Sequence, residues 1–236
     1  MRICVTRPEE DAGALREKLG LLGHEAIPAP LLAIVSRSAV AIAPLAYQAV
    51  AATSANAIRA LQGAGELKSL RMLTVGPQSL KAAEAKGFIN AEARGGDVDG
   101  LAAHIRLALK PADGPILYLS GSETTGDLEG QLAASGFDCR RVVLYDAVPA
   151  TSLAGAEAAL LGGGIDAVLL YSPRSARIWC GLVAEAGLIA EAQAPSYLCL
   201  SRNVARVLPE SWNCHIARSP DESALLALLE HLPRTL

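Results

Sequence analysis

The sequence predicts an α/β fold built from two parallel-sheet domains, and three observations carry this prediction. Strand-like apolar runs alternate with helical segments along almost the whole chain, which is the pattern of parallel α/β sheets. A short apolar run that ends in a Ser-containing turn and a helix start occurs once in each half. The 236 residues, 51% of them hydrophobic, are enough for two domains of about 100 residues each.

The repeated turn bears most directly on function. The run Ala49–Ala52 leads into Thr53-Ser54-Ala55-Asn56, and the run Ala167–Leu170 leads into Tyr171-Ser172-Pro173-Arg174. Each copy is followed by a further strand-like run with a helix start, at Gly76-Pro77-Gln78-Ser79 and at Ser201-Arg202-Asn203. Four helix N-termini at strand ends would present unpaired N–H groups and positive dipole ends at the edge where open α/β sheets bind ligands. Two domains that face each other in this way predict a cleft for an anionic ligand.

The elements follow in chain order. The predicted N-terminal elements are a strand at Ile3–Val5, a helix opened by Pro8, a strand at Glu25–Ile27 and an extended segment at Leu31–Val35. The middle strands lie near Ala49–Ala52, Met72–Val75, Ile89–Ala93, Ile116–Leu119 and Cys139–Leu144, with helices that begin near Ser54, Gln78, Asp99 and Thr125. The remaining elements are a helix near Ala154–Leu161, strands near Ala167–Leu170, Ser196–Leu200 and Cys214–Ala217, and helices that begin near Pro173, Arg202 and Asp221.

The N-terminal βαβ piece is too short to bury its own core, so we expect it to join the C-terminal series. This gives a discontinuous first domain, residues 1–33 and 149–236, and a second domain, residues 36–143, with five strands in each. Each would be a flavodoxin-like lobe. The two segments between them, near residues 31–37 and 142–148, form a two-stranded antiparallel linker that would act as a hinge.

Composition and motifs exclude several classes of function. The net charge of −3 and the lack of a basic run argue against nucleic acid as a partner. No apolar stretch has the length of a signal peptide or a membrane span. Five scattered cysteines without a Cys-x-x-Cys pair fit a reduced, cytoplasmic protein. The four histidines lack metal-ligand spacing, and nucleotide-binding glycine loops and the nucleophile elbow are missing, so we expect neither a metal nor a cofactor.

Each candidate also has a plain structural interpretation. Serine before a helix is commonly only an N-cap, and it is the recurrence of the turn in both halves that favours function. Tyr145 lies in the returning segment, residues 142–148, where packing explains a tyrosine as well as a role in the cleft does. Arg7, Arg174 and Arg202 lie near the predicted cleft edges and would add positive charge.

Taken together, the short motifs resemble the uroporphyrinogen-III synthase family. The motifs are Val5-Thr6-Arg7-Pro8, Thr53-Ser54-Ala55-Asn56-Ala57, Val75-Gly76-Pro77-Gln78-Ser79, Val143-Leu144-Tyr145 and Tyr171-Ser172-Pro173, and their order covers essentially the whole chain. The resemblance implies that the substrate is hydroxymethylbilane, a linear tetrapyrrole with eight carboxylates. The reaction would close it to uroporphyrinogen III with loss of water and inversion of ring D.

The resemblance also implies which residues act. Tyr145 matches the tyrosine that helps the hydroxyl leave. The implied substrate-binding residues are Arg7, Thr53, Ser54, Ala55, Gly76, Gln78, Ser79, Ser172, Arg174, Ser201 and Asn203. Two positions depart from the family pattern and are not carried over, Val204 in the last turn and Ser120 where an Arg-Gly pair is common. A monomer is expected, and contact with the upstream hydroxymethylbilane synthase is a further hypothesis.

Two other classes of protein remain alternatives at this point. One is a non-catalytic two-lobed protein that binds a small anion, although most such proteins carry an export signal. The other is a two-lobed glycosyl- or phosphoryl-transferring enzyme, which would show a nucleotide loop or a carboxylate–metal site.

Overall fold

The computed structural model describes residues 1–232 of the chain, with the secondary-structure elements in the following order. The strands are β1 (Arg2–Val5), β2 (Glu25–Pro28), β3 (Leu32–Ser36), β4 (Ala49–Ala52), β5 (Arg71–Thr74), β6 (Asn90–Ala93), β7 (Ile116–Gly121), β8 (Cys139–Pro149), β9 (Ala167–Leu170), β10 (Ser196–Cys199) and β11 (Asn213–Ile216). The α-helices are α1 (Glu9–Leu21), α2 (Ala55–Ala60), α3 (Pro77–Lys86), α4 (Val98–Ala108), α5 (Leu128–Ala133), α6 (Gly155–Leu161), α7 (Pro173–Glu185), α8 (Arg202–Ala205) and α9 (Glu222–Ala227).

The chain divides into two compact units. The terminal unit comprises Met1–Ala33 and the chain from Val148 onward, and the middle unit comprises Ile34–Ala147. The terminal unit contains a five-stranded sheet in the order β11-β10-β9-β1-β2, in which every neighbouring pair is parallel. The α/β fold class predicted from the sequence is therefore confirmed.

The middle unit contains a six-stranded sheet in the order β3-β8-β7-β4-β5-β6. Its pairs from β8 to β6 are parallel. The prediction of five strands was wrong because it treated residues 31–35 purely as a connector, whereas β3 forms the edge strand beside β8. The returning connector likewise is not a separate segment, since β8 continues to Pro149.

Both sheets are buried on both faces, as parallel sheets require. The central strands β4, β9 and β10 carry only buried residues, which explains why they read as continuous apolar runs. In the terminal unit Trp179 is fully buried, and its indole donates to the hydroxyl of Tyr197, 3.3 Å away. Because aromatic residues are scarce, most of the core consists of Leu, Val, Ile and Ala side chains. Burial of one large apolar side chain contributes about 1.5–3 kcal/mol to the free energy of folding.

The helices begin close to the predicted positions, with one correction. The side chains of Ser54, Asp97, Ser172 and Asp221 accept the expected backbone N–H bonds at the starts of α2, α4, α7 and α9. The helix predicted near Thr125 begins instead at Leu128, because Asp127 is the residue whose carboxylate accepts the N–H of Gly130 at 2.8 Å. Residues 122–127 therefore form a loop after β7.

The edge strand β3 is held to β8 by an ion pair as well as by backbone bonds. Arg37 donates two hydrogen bonds of 2.8 Å to Asp146, and its backbone N–H donates to Leu144. The bonds from Arg37, followed by one from Ser122, lower the pKa of Asp146 to about 2. Because this pKa is depressed in the folded state, the pair stabilises the fold above about pH 4 and this stabilisation is lost as the pH falls towards 2.

We therefore predict that Arg37→Gln destabilises the protein at neutral pH and that the difference from wild type narrows between about pH 4 and pH 2. Urea unfolding midpoints across this range measure the difference. The matched control is the same substitution in an Asp146→Asn background, where the narrowing should disappear. A difference that stays constant down to pH 2 would contradict the assigned pairing.

Candidate active site

The carboxyl ends of the middle strands surround a cavity of about 560 Å³. It lies wholly within the middle unit. The residues that line it are Thr53, Ser54, Val75, Asp97, Val98, Asp99, Gly121, Glu123, Thr124, Thr125, Gly126 and Tyr145. Parallel pairing of β4, β5, β6 and β7 brings the turns after these strands to one edge, which is why residues far apart in sequence meet here.

One wall of the cavity is formed by the turn between β4 and α2. Ser54 is the N-cap of α2, and its Oγ atom accepts the backbone N–H of Asn56 at 3.2 Å. The hydroxyl of Tyr145 donates to the same Oγ atom at 3.1 Å. Next to it, Thr53 shares a hydrogen bond of 3.0 Å with the hydroxyl of Tyr118. Two tyrosines from β7 and β8 therefore hold the two hydroxyl residues of this turn.

The position of Tyr145 depends on Gly121. Strands β7 and β8 pair in regular register up to Ser120 and Val143, and the register then shifts so that Gly121 lies opposite Tyr145. Such irregularities redirect side chains beside functional sites. A Cβ atom at Gly121 would lie 2.6 Å from the Cζ atom of Tyr145, so only glycine lets the ring lie against the strand.

Arg141 fixes the end of β7 from the neighbouring strand. Its Nε atom donates to Ser120 Oγ at 2.9 Å, and an Nη atom donates to the carbonyls of Gly121 and Ser122 at 2.9 and 3.0 Å. Ser120 stands at the position where the family pattern has an arginine. Its hydroxyl accepts a hydrogen bond from the guanidinium of Arg141. Burial raises the pKa of the adjacent Tyr118, so its phenol stays protonated at neutral pH.

The segments that follow β6 and β7 give the cavity an acidic wall, made of Asp97, Asp99 and Glu123. Asp97 accepts the N–H of Gly100 at 2.8 Å as the cap of α4, and Asp99 accepts a hydrogen bond of 2.6 Å from Gln131. Glu123 lies on the loop after β7 and is exposed. Carboxylate repulsion makes this wall a poor place for substrate carboxylates and a good acceptor for N–H groups.

The other predicted residues of the middle unit lie at the next strand end. Gly76 caps α3 with extended backbone and open space around it, Gln78 is exposed and Ser79 is buried. Ala55, the first residue of α2, is also buried. The structure thus brings Thr53, Ser54 and Tyr145 together in one cavity, while Gly76, Gln78 and Ser79 do not line it.

The terminal unit has its own strand-end cluster. Ser172 accepts the N–H of Ser175 at 3.0 Å at the start of α7, and Arg174 lies in the first turn of that helix. Arg7 forms a 2.9 Å ion pair with Glu222 and lies 4.7 Å from the ring centre of Tyr171, so its charge is partly neutralised within the unit.

Ser201 begins the short helix α8 without a side-chain cap bond, and Asn203 and Arg202 are exposed on its first turn. Helices α2 and α8 have only six and four residues, whereas α3 and α7 have ten and thirteen. Of the four predicted helix N-termini, only those of α3 and α7 belong to helices of more than two turns. All four predicted helix starts are present, and the helices that follow them differ in length.

Sequence reasoning missed Tyr118, Gly121 and the acidic wall. The sequence did contain a signal for the acidic wall, since Asp97, Asp99 and Glu123 follow predicted strands of the same sheet and so belong to the same edge. The bond between Tyr118 and Thr53 had no such signal, because strand order decides which side chains meet. Within residues 1–232, no three or more His, Cys, Asp or Glu residues are grouped to hold a metal ion.

The thiols show no sign of nucleophilic activation. Burial raises the pKa of all five cysteines above the ordinary value, to about 12 for Cys139 and Cys199. Reactive cysteines show the opposite shift, because the thiolate is the nucleophile. These thiols behave as small apolar residues of the two cores. No helix within the described part of the chain is long and apolar enough to cross a membrane.

The fold defines a two-unit α/β protein with a candidate active site at the carboxyl ends of parallel strands. Residues 13–227 match the family model described as uroporphyrinogen-III synthase HemD, so the chain belongs to the uroporphyrinogen-III synthase family. Its activity is the formation of uroporphyrinogen III in tetrapyrrole biosynthesis, and the substrate of the family is hydroxymethylbilane. Membership of this family sets aside the binding-protein and transferase alternatives.

Solved structures with the same fold include two enzymes of this name. The structure from Helicobacter pylori, titled uroporphyrinogen-III synthetase, has a TM-score of 0.67 and 16% identity, over 98% of this chain and 99% of that one. A mutant uroporphyrinogen III synthase from Thermus thermophilus has a TM-score of 0.52 and 16% identity, over 98% of both chains. No curated protein sequence matches the chain at a significant level.

We predict that Gly121→Ala impairs the enzyme by displacing Tyr145 rather than by unfolding the chain. An added methyl group meets the Tyr145 ring far inside van der Waals contact, so the ring must move and its bond to Ser54 must lengthen or break. The rate of uroporphyrinogen III formation should fall by about the same factor as in Tyr145→Phe, since both lose one hydrogen bond. Gly13→Ala, where open space surrounds an added Cβ in α1, is the control and should keep the wild-type rate. A Gly121→Ala enzyme with full activity would contradict this account of the site.

Proposed function

We propose that the cavity of the middle unit is where the hydroxymethyl end of hydroxymethylbilane reacts. The observation that supports this most strongly is the bond between Tyr145 and Ser54, which places two hydroxyl groups in one cavity at a strand edge. Loss of the substrate hydroxyl needs a hydrogen donor, and neutral hydroxyls serve this purpose without repelling a substrate that carries eight carboxylates.

We propose that backbone N–H groups and a few side chains hold the substrate carboxylates. The N-termini of α3 and α7, with Gly76, Gln78 and Ser79 on one and Ser172 and Arg174 on the other, offer such donors. The further contacts proposed are with Arg7, Thr53, Ala55, Ser201 and Asn203. Backbone donors allow a protein with a net charge of −3 to bind a polyanion without a large basic patch.

The two walls of the cavity give the bound tetrapyrrole one favoured orientation. Carboxylate groups are repelled by Asp97, Asp99 and Glu123 and so lie towards Thr53 and Ser54. Pyrrole N–H groups are hydrogen-bond donors and lie towards the acidic wall. In this orientation the reacting end of the chain is held in a single folded geometry, which is the main requirement of a reaction whose substrate also closes unaided without inversion.

The chemistry itself is carried by the substrate. Pyrrole nitrogens supply the electrons that expel the hydroxyl group, and the substituted carbon of ring D then attacks to give a spiro intermediate that fragments and closes the other way round. This sequence needs no metal, organic cofactor or protein nucleophile. The protein supplies geometry, hydrogen bonds and exclusion of the uninverted closure.

We further propose that the terminal and middle units are the two domains predicted from the sequence, with boundaries near residues 33–36 and 143–149. The enzyme would act as a monomer in the cytoplasm, where buried cysteines remain reduced. The product of hydroxymethylbilane synthase is its substrate, and direct transfer between the two enzymes is the partner hypothesis that follows.

The proposed site predicts that a bulky residue in the turn after β4 releases the substrate before inversion. Thr53→Leu should remove the hydroxyl, fill part of the cavity and lower kcat/KM by about 10- to 150-fold, the cost of losing one hydrogen bond to a charged group. Uroporphyrinogen I should accumulate because free hydroxymethylbilane closes spontaneously. Isomer composition after oxidation and chromatography measures both products.

The control for this experiment is Thr151→Leu, the same substitution at an exposed position of the terminal unit. It should give type III product at the wild-type rate. Unchanged kcat/KM and isomer ratio in Thr53→Leu would argue against the cavity as the site. Exclusive type I product from the folded wild-type protein would contradict the function itself.

A further inference from the structure

We infer that Ser54 is the residue that donates hydrogen directly to the departing hydroxyl of the substrate, with Tyr145 behind it as a second donor. The inference rests on the proposed function, because it requires the hydroxymethyl group to lie in the cavity of the middle unit. It changes the role expected for Tyr145 from a catalytic residue to a positioning residue that acts through Ser54.

The argument starts from the hydrogen-bond capacity of a serine hydroxyl, which is one donated and two accepted bonds. Ser54 Oγ accepts the N–H of Asn56 at 3.2 Å and the hydroxyl of Tyr145 at 3.1 Å. Both lone pairs are thus occupied. The hydrogen of Ser54 takes the remaining tetrahedral direction, and within residues 1–232 no protein acceptor receives it. Because Ser54 lines the cavity, this hydrogen is available to a ligand there.

Tyr145 is in the opposite situation. Its hydroxyl hydrogen is already donated to Ser54, and the residue is only 8% exposed. Its ring lies against Gly121, where even a methyl group would collide with it, so the ring has little room to turn its hydroxyl elsewhere. Direct donation to the substrate would break the bond to Ser54, whereas donation through Ser54 keeps every bond in place.

The backbone around Ser54 is held firmly enough for this role. The N–H of Asn56 fixes the hydroxyl from the helix side, and the bond between Thr53 and Tyr118 fixes the preceding residue. A donor held by bonds formed before the substrate arrives loses little entropy at the moment of reaction.

The proposed step balances within the enzyme and its substrate. The C–O bond of the hydroxymethyl group breaks with its electron pair on oxygen, which takes the Ser54 hydrogen and leaves as water. Ser54 takes the phenolic hydrogen of Tyr145, and the bilane becomes a cation whose charge the pyrrole nitrogen shares. Ring closure then releases one proton from a pyrrole carbon, and this proton restores the Tyr145 phenol. The step needs no oxidant, reductant or further reactant.

The test compares Ser54→Ala, Tyr145→Phe and the double variant by kcat for uroporphyrinogen III at saturating hydroxymethylbilane. We expect Ser54→Ala to lower kcat by about 100-fold, the low end of general acid catalysis. Tyr145→Phe should lower it by roughly 2- to 100-fold, since its loss should not exceed that of Ser54→Ala. The double variant should be no slower than Ser54→Ala, because removal of Ser54 already disconnects Tyr145. Ser54→Thr keeps the hydroxyl and the cap, so it should restore most of the rate.

A second measurement reports on the relay itself. In mixtures of H₂O and D₂O, kcat of the wild type should vary non-linearly with the deuterium fraction, because two hydrogens move in the same step. The dependence should become linear in Tyr145→Phe, where only the Ser54 hydrogen moves. A purely structural role of Tyr145 would change the rate without changing the shape of this dependence.

Loss of the helix cap in Ser54→Ala is controlled by Asp221→Ala. Asp221 caps α9 through the N–H of Ala224 at 2.8 Å and lies outside the proposed site. This variant should lose stability to a similar extent and keep the wild-type kcat.

The outcomes separate the inference from the proposal beneath it. Full kcat in Ser54→Ala together with a slow Tyr145→Phe would overturn the relay and leave the cavity as the site. If the two single losses multiply in the double variant, Ser54 and Tyr145 act as independent donors. That result would also overturn the relay. Full kcat in both single variants would overturn the proposed site as well.

Discussion

Parallel pairing of the strands is the constraint on which the rest of this structure depends. It forces each strand to be followed by a crossover, usually through a helix, and so collects the turns after the strands at one edge of each sheet. In the middle unit this edge brings together residues from five separate segments of the chain, around Ser54, Val75, Asp97, Gly121 and Tyr145. The cavity is a consequence of the topology, and local features then determine its chemistry.

Two of these local features determine the position of the Tyr145 side chain. The register shift between β7 and β8 puts the tyrosine opposite Gly121, and the absence of a side chain there lets the ring lie flat against the strand. Arg141 holds the same strand end through three hydrogen bonds. A phenol whose ring is confined by Gly121 and whose hydroxyl donates to Ser54 has a fixed geometry, and a fixed geometry matters most in a reaction whose uncatalysed form gives the wrong isomer.

Much of the fold could be predicted from the sequence because its signals are local. Apolar runs located the strands, and residues such as Ser54 and Ser172 located the helix starts through their capping bonds. The errors have physical reasons of longer range. Residues 32–36 became an edge strand because β8 offered an unpaired side, and Asp127 took over the cap expected near Thr125.

The site was predicted only in part for the same reason. Ser54 and Tyr145 were found through the repeated turn and the resemblance to a family, whereas Tyr118 and Gly121 act through contacts that depend on strand order and register. The four helix starts were predicted from local sequence, whereas the lengths of the helices, four residues in α8 and thirteen in α7, were not. Sequence patterns identify a functional edge more readily than they identify which side chains face one another across it.

The central claim is that the tetrapyrrole lies at the carboxyl ends of the strands. Hydrogen–deuterium exchange with and without anaerobic uroporphyrinogen III tests this most directly, since it reports on backbone N–H groups segment by segment. We expect slower exchange in residues 53–60, 119–126 and 172–176 when the product is bound, and no change at the amino ends of the strands, such as residues 45–49 and 162–166. Protection confined to those amino ends would contradict the account.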